Sequence, residues 1–203
     1  MICGIDEAGR GPLAGPVCAA AVVLPDNFPL DLLNDSKKIS NKKREEVRPV
    51  IISGAVAWGV GWATHSEIDE LNILQASLLA MQRAFDFLFS PEEKEWNFKT
   101  EESFGRPFKN ALIPAGLSAV VDGLHTPKIS IPCQALVKAD ASVSEVMAAS
   151  ILAKTARDRL MEHYDKLYPQ YGYAKHKGYP TKEHREIVKR YGPSPIQRLS
   201  FNV

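Results

Sequence analysis

Gly4-Ile5-Asp6-Glu7-Ala8-Gly9-Arg10-Gly11-Pro12 is the stretch on which the reading of this chain turns. Ahead of it, Met1 to Ile5 is a short apolar run that predicts a strand. Two adjacent carboxylates follow, then glycines around one arginine. Neighbouring side chains on a strand point to opposite faces. Asp6 and Glu7 therefore share a site only where the strand ends, or where a cation is reached from both sides. Carboxylates at the end of a buried strand are costly unless something neutralises them. Glycines let backbone approach a ligand closely, and Arg10 suits a phosphate. The acids alone favour a solvated acidic turn. Acids, glycines and arginine together favour a site.

Outward from this stretch, Pro16 to Leu24 is a continuous apolar run that suits a second buried strand, forming a hairpin with the first. Ser40 is placed to cap a helix running to about Ser53, which Pro49 should kink or split. Ala55 to Ala63 reads as a third strand, its glycines pointing to close packing. Ser66 is expected to cap one long helix through Phe89, with Ile68, Leu71, Leu74, Leu78 and Met81 at helical spacing. Residues 90–112 have no clear period and read as a surface excursion. Leu117 to Gly123 and Ile129 to Val137 suit two more strands. Val143 to Met161 suits a helix whose small residues let it lie against the sheet. Tyr164 to Gly178 reads as a loop, and Thr181 caps a last helix to about Tyr191, ended by Gly192-Pro193. The pattern is a mixed α/β layer with a helical C-terminal appendage.

Hydrophobic residues make up 45% of the 203 positions, enough for a normal core. No apolar run reaches membrane-spanning length and no export leader is visible, so a cytoplasmic protein is expected. Cys3, Cys18 and Cys133 have no paired spacing and read as reduced thiols. Charge is unevenly spread. Residues 1–150 carry 14 Lys and Arg against 19 Asp and Glu, whereas residues 151–203 carry 11 against 5. A basic C-terminal part on an acidic body is compatible with a polyanionic partner.

Acids recur where the buried strands end, at Asp6, Glu7, Asp122 and Asp140. Each alone has a plain reading: Asp122-Gly123 as a turn, Asp140 as a cap before the next helix. If they converge, they cannot all stay ionised without a cation. Hard oxygen ligands select Mg²⁺ or Mn²⁺. Two such ions suit an in-line phosphoryl displacement.

The opening motif, extended through Leu13-Ala14-Gly15-Pro16-Val17, resembles that of the type 2 ribonucleases H, and within them the ribonuclease HII branch. The likeness continues in Asp35-Ser36-Lys37-Lys38, Glu67-Ile68-Asp69 with Asn72-Ile73-Leu74, and Val121-Asp122-Gly123. It goes on in Lys138-Ala139-Asp140, Ala148-Ala149-Ser150-Ile151, Ala153-Lys154, Arg157-Asp158 and Gly178-Tyr179-Pro180-Thr181 with His184. It covers nearly the whole chain apart from residues 90–112. Type HIII relatives differ in the opening motif.

The resemblance implies an α/β, ribonuclease H-like fold: a mixed five-stranded sheet flanked by helices, with a C-terminal helical extension. Residues 1–165 would form the catalytic domain and residues 166–203 the extension packed on it as a single unit. It implies a metal-dependent endoribonuclease that cleaves the RNA strand of RNA–DNA hybrids and incises 5′ of single ribonucleotides embedded in duplex DNA. The Mg²⁺ or Mn²⁺ ligands would be Asp6, Glu7, Asp122 and Asp140. Gly9, Arg10 and Gly11 would read the ribose 2′-OH, Tyr179 would stack on the sugar at the junction, and Lys37 and Lys38 would meet substrate phosphates. The implied partners are RNA–DNA hybrid and ribonucleotide-bearing DNA duplex, with no membrane, bound by a monomer.

Three positions depart from the family pattern. Met147 stands where many members have serine, Gln197 where many have histidine, and the 90–112 excursion is longer than expected. Trp58 and Trp62 read as sheet-packing aromatics, His163 and His184 as surface or capping residues, Asp158 as a salt-bridge partner, and Lys42-Lys43-Arg44 as a solvated helix start, with a phosphate contact as the alternative. A binding module whose acids only hold a structural ion is the main competing reading, and loss of one carboxylate would betray it. A strand-transfer enzyme of the same fold would need further DNA-binding domains.

Overall fold

The computed structural model describes residues 1–33, 40–89, 105–110 and 112–202. Lys37 and Lys38, with most of the 90–112 excursion, lie outside the described residues.

Among the described residues five strands form one sheet in the order β3-β2-β1-β4-β5: β1 (Ile2–Ala8), β2 (Val17–Val23), β3 (Ala57–Ala63), β4 (Ser118–Asp122) and β5 (Cys133–Leu136). The first two form the expected antiparallel hairpin, with Asp6 opposite Ala20 and Glu7 opposite Ala19. Strand β2 is antiparallel to β3, while β1, β4 and β5 run parallel. The first strand is longer than expected and carries both acids within it. Its pairing with β4 stops at Ile5↔Val121. Residues 7 and 8 therefore extend past the end of β4 at the carboxyl end of the parallel strands.

The period-2 rule sorts the core. On β2, Val17, Ala19, Ala21 and Val23 join one apolar cluster, and Cys18, Ala20 and Val22 join the other. The first cluster lies under α3 (Ile73–Asp86), through Ala76, Ala80, Ala84 and Phe85. The second lies under α1 (Asn41–Gly54) and α4 (Ser144–Leu167), and contains Trp58 and Trp62 as expected. Met147 packs against this second cluster, so an apolar contact occupies that position. Gly59 and Gly61 bring α3 unusually close. A Cβ on Gly61 would stand 2.2 Å from the Ala80 carbonyl oxygen.

Several boundaries differ from expectation. Thr64, not Ser66, caps α2 (His65–Leu71): its hydroxyl accepts from Glu67 N, and the Glu67 carboxylate accepts from Thr64 N. This is a complete capping box. The long helix is then broken at Asn72, whose φ of 73° lies in the left-handed region. The Asn72 side chain accepts from Leu74 N and Gln75 N and so starts α3 afresh. Of the apolar spacing that runs through this break, Ile68, Leu78 and Met81 reach the first cluster, while Leu71 is exposed. In α1, capped by Ser40, Pro49 sits inside one continuous helix rather than splitting it. The run from Ile129 yields only four residues of strand in β5. The helix expected to end at Met161 continues to Leu167, and the expected loop holds α5 (Tyr173–His176). The last helix, α6 (Lys182–Tyr191), is capped by Thr181 as read.

The C-terminal residues dock through a third cluster of Ala14, Met161, Tyr171, Tyr173 and Ile196. Phe201 packs back onto the first cluster. The cysteines are unbridged, and no helix among the described residues is long and apolar enough to cross a membrane.

Gly61→Ala should push α3 off β3, because the nearest obstacles are backbone atoms. We expect a loss of about 1–3 kcal/mol, the usual cost of overpacking, read as a lower urea midpoint. An unchanged midpoint would mean that α3 is free to shift.

Candidate active site

Three parallel strands deliver acids to one edge of the sheet. Asp6 and Glu7 come from the end of β1, and Asp122 from the last position of β4. Asp140 follows β5 on a single turn of 3₁₀ helix, Ala139–Ala141. That turn is entered through Lys138, a non-glycine residue at φ 63°. The turn is tied to β4, since the Asp122 carboxylate accepts from Ala139 N at 2.9 Å. Each of Asp6, Asp122 and Asp140 offers an oxygen within 4.8 Å of the others.

Glu7 stands beside this triad, not in it. It lines the same cleft and takes an ion pair from Arg10 at 3.3 Å. Its Oε2 is buried without a hydrogen-bond partner. Asp6 is buried on the α4 side of β1, accepts a hydrogen bond from Ser150, and accepts one from Glu7 N at 2.8 Å. Burial, and then the neighbouring Glu7 carboxylate, raise its pKa well above the usual carboxylate range. Burial raises Glu7 as well, with Arg10 opposing. Closely set hard oxygens, with the orphaned Glu7 Oε2 beside them, fit a divalent cation such as Mg²⁺ or Mn²⁺.

The cleft, whose volume is about 440 Å³, is also lined by Gly9, Arg10, Gly11 and Tyr179. Gly9 has φ 99°, and a Cβ there would fall 2.0 Å from Arg157 Nε. Only glycine meets both conditions. Tyr179 lies against Gly11, where an added Cβ would sit 3.8 Å from the ring. Lys154 Nζ is 5.6 Å and the Arg157 guanidinium 5.8 Å from the Tyr179 ring centre. The ring is thus part exposed over the cleft, with cations beneath it.

Of the residues named from sequence, Asp6, Glu7, Gly9, Arg10, Gly11, Asp122, Asp140 and Tyr179 all line this one cleft. Lys37 and Lys38 fall outside the described residues. Arg44, Ser150 and Lys154 line it too, although the sequence reading gave none of them a role in the site. Lys154 also pairs with Asp158 at 2.7 Å, the expected structural salt bridge. In the run Lys42-Lys43-Arg44, the two lysines are exposed at the helix start and Arg44 reaches the cleft.

His184, read as a surface or capping residue, is not on the surface but fully buried at the capped start of α6, its N–H donating to the Thr181 hydroxyl. Its ring stacks on His176 with centres 4.2 Å apart, and its Nδ1 lies 3.0 Å from the Tyr179 carbonyl oxygen. His176 accepts from Gly178 N at Nδ1, which leaves Nε2–H to donate to the Tyr171 carbonyl. Burial lowers the pKa of both imidazoles. The two rings grip the peptide on either side of Tyr179. No motif spacing announced this, because their partners are backbone groups.

The ribonuclease HII family model matches residues 3–95 and 114–203 of this chain. A ribonuclease HII of Treponema denticola is 54% identical over 206 residues, covering 100% of this chain and 98% of that protein. One of Dechloromonas aromatica is 48% identical over 201 residues, covering 99% and 90%. Among solved structures, the ribonuclease H2 of Pyrococcus horikoshii is similar with a TM-score of 0.71 at 27% identity, covering 99% of this chain and 93% of that one.

The raised Asp6 pKa has a testable sign. Unfolded Asp6 ionises near 3.8, whereas the folded protein holds the proton to higher pH. The unfolded state binds fewer protons across that window, so metal-free stability falls as pH rises through the folded value. Asp6→Asn removes this loss. In chelator at pH 7 its melting temperature should exceed that of the wild type, and the gap should close towards pH 3. At about 2–4 °C per kcal/mol for a chain of this size, the shift is measurable by calorimetry. Adding Mn²⁺ should raise the wild type and leave the variant nearly unmoved. A metal shift preserved in Asp6→Asn would take Asp6 out of the cation site.

Proposed function

Because this chain belongs to the ribonuclease HII family, and so is an endoribonuclease of the ribonuclease H type that cleaves RNA paired with DNA, we propose that it also incises on the 5′ side of a single ribonucleotide in duplex DNA. The observation that carries the proposal is the juxtaposition in one cleft of the acidic triad, residues Gly9 to Gly11 and Tyr179. Duplex length is not needed to fill such a site. One ribose with its 5′ phosphate is enough.

Asp6, Asp122 and Asp140, with Glu7 beside them, would hold the divalent cations. Bound there, two Mg²⁺ or Mn²⁺ ions would stabilise the attacking and the leaving oxygen of an in-line displacement at phosphorus. The backbone at Gly9, Arg10 and Gly11 would hydrogen-bond the 2′-OH, the group that distinguishes RNA from DNA at a given position. Tyr179 would pack on the sugar and hold the phosphate in line, with Lys154 and Arg157 keeping the ring in place. Water attacks phosphorus, the bond to the preceding 3′ oxygen breaks, and the ribonucleotide is left with a 5′ phosphate. A site that hydrogen-bonds a hydroxyl discriminates against its absence by on the order of 10⁴-fold. We place the activity in the removal of ribonucleotides from DNA, in a monomer of the cytoplasm.

The test is a labelled DNA duplex with one ribonucleotide, incubated with and without Mg²⁺. The wild type should nick it once, 5′ of the ribonucleotide, and leave the all-DNA duplex intact. Asp122→Asn should retain duplex binding and lose cleavage by more than the about 10–100-fold typical of outer-shell losses. Tyr179→Ala should slow junction cutting by up to about 100-fold, with a smaller effect on binding. Cutting of long hybrids with no nick at the lone ribonucleotide would defeat the proposal. An unaffected Tyr179→Ala would instead move the stacking role to another aromatic.

A further inference from the structure

The loop from Gly9 to Pro16 is held by two buried guanidinium groups that come from far along the chain. Arg198 Nη2 donates to the Gly9 carbonyl at 2.6 Å and to Pro16 at 3.2 Å, Nη1 to Arg10 at 3.0 Å, and Nε to Gly15 at 2.8 Å. Arg157 Nε donates to Pro16 at 3.0 Å and Nη2 to Ala14 at 3.2 Å. Its Nη1 reaches Lys177 at 3.0 Å, two residues before Tyr179. Every one of these bonds goes to a backbone carbonyl. Both side chains are fully buried. Charge-assisted hydrogen bonds are roughly twice as strong as neutral ones. Two cations committed wholly to carbonyls are thus a strong and directional restraint.

The restraint has a geometric result. In a planar trans peptide, the C=O and the following N–H point in opposite directions. Fixing the carbonyls of Gly9 and Arg10 inward therefore aims the N–H groups of Arg10 and Gly11 away from Arg198. These belong to the residues that line the cleft. Arg198 is itself anchored by the tail around it. Its N–H donates to the Leu13 carbonyl at 2.8 Å. Asp69 of α2 accepts from Leu199 N and Ser200 N, each at 2.9 Å, and from the Ser200 hydroxyl at 2.6 Å.

We propose that Arg198, supported by Arg157 and by the Asp69 latch, is the positioning residue for ribose selection. It sets the peptide planes of Gly9–Gly11, and the C-terminal tail thereby governs how sharply the enzyme tells ribose from deoxyribose. The inference rests on the reading above that this loop meets the 2′-OH. Arg198 itself does not touch substrate. Its loss should therefore lower selectivity ahead of general affinity.

The test is binding of two DNA duplexes, identical but for one ribonucleotide, to the full chain in Ca²⁺, measured by fluorescence anisotropy. The wild type should bind the ribonucleotide-bearing duplex more tightly. In Arg198→Lys, which offers one nitrogen in place of a fork, that preference should fall by about tenfold or more. Affinity for the all-DNA duplex should stay within about twofold. Asp69→Ala, a change away from the cleft that frees the tail, should shift the ratio the same way and carries the comparison if Arg198→Lys does not fold. A preference kept in the folded variants, or a parallel fall in both affinities, overturns the proposal. If the wild type itself shows no preference, the ribose reading of the loop fails first and this inference fails with it.

Discussion

Everything at the cleft follows from the cost of an ionised Asp6. The side chain is buried, next to a second carboxylate in sequence and within 4.8 Å of two more in space. No apolar packing offsets that arrangement. A carboxylate there must keep a proton or meet a cation. The parallel strands exist in the order that creates this problem, since β1, β4 and β5 all end on the same side of the sheet. Open α/β sheets place their sites at the carboxyl ends of strands for this reason: residues there are fixed by the sheet yet released from its pairing. Here the release is visible at Ile5, the last β1 residue paired with β4.

The remainder of the molecule absorbs the strain of holding that edge still. Small residues let α3 and α4 lie on the two faces of β1 and β2, so the strands that carry the acids are supported from both sides. Gly4 shows how close the support is, for a Cβ there would fall 2.1 Å from the Glu145 backbone. Precision at the acids is therefore inherited from backbone contacts in the core, where few side chains can be exchanged.

What the sequence revealed and what it hid divide along one line. Apolar runs gave the five strands and most helices, because burial leaves a period in side-chain type. The acids were legible because charge at a strand end has few purposes. The break at Asn72 was not, since it is made by a left-handed backbone and a side-chain cap that the apolar spacing on either side does not mark. Nor were the roles of Arg157, Arg198 and His184 legible. Each acts on carbonyl oxygens, which every residue carries and no residue type marks. Gln197 lies buried with neither amide atom hydrogen-bonded, and nothing in the structure explains it.

The clamp on the glycine loop spans 189 residues, from Arg198 to Gly9. Contacts of such sequence separation close late, because the intervening chain must first be brought together. Residues 9–16 leave the ribosome well before the arginines that shape them. The hairpin that carries Asp6 and Glu7 can pair locally at once, whereas the glycine loop waits for the tail. Maturation thus has an order: the hairpin bearing Asp6 and Glu7 forms from local contacts, and the glycine loop beside it takes its shape last. A chain caught between those two stages would carry its first two acids in place next to a loop that no guanidinium yet holds.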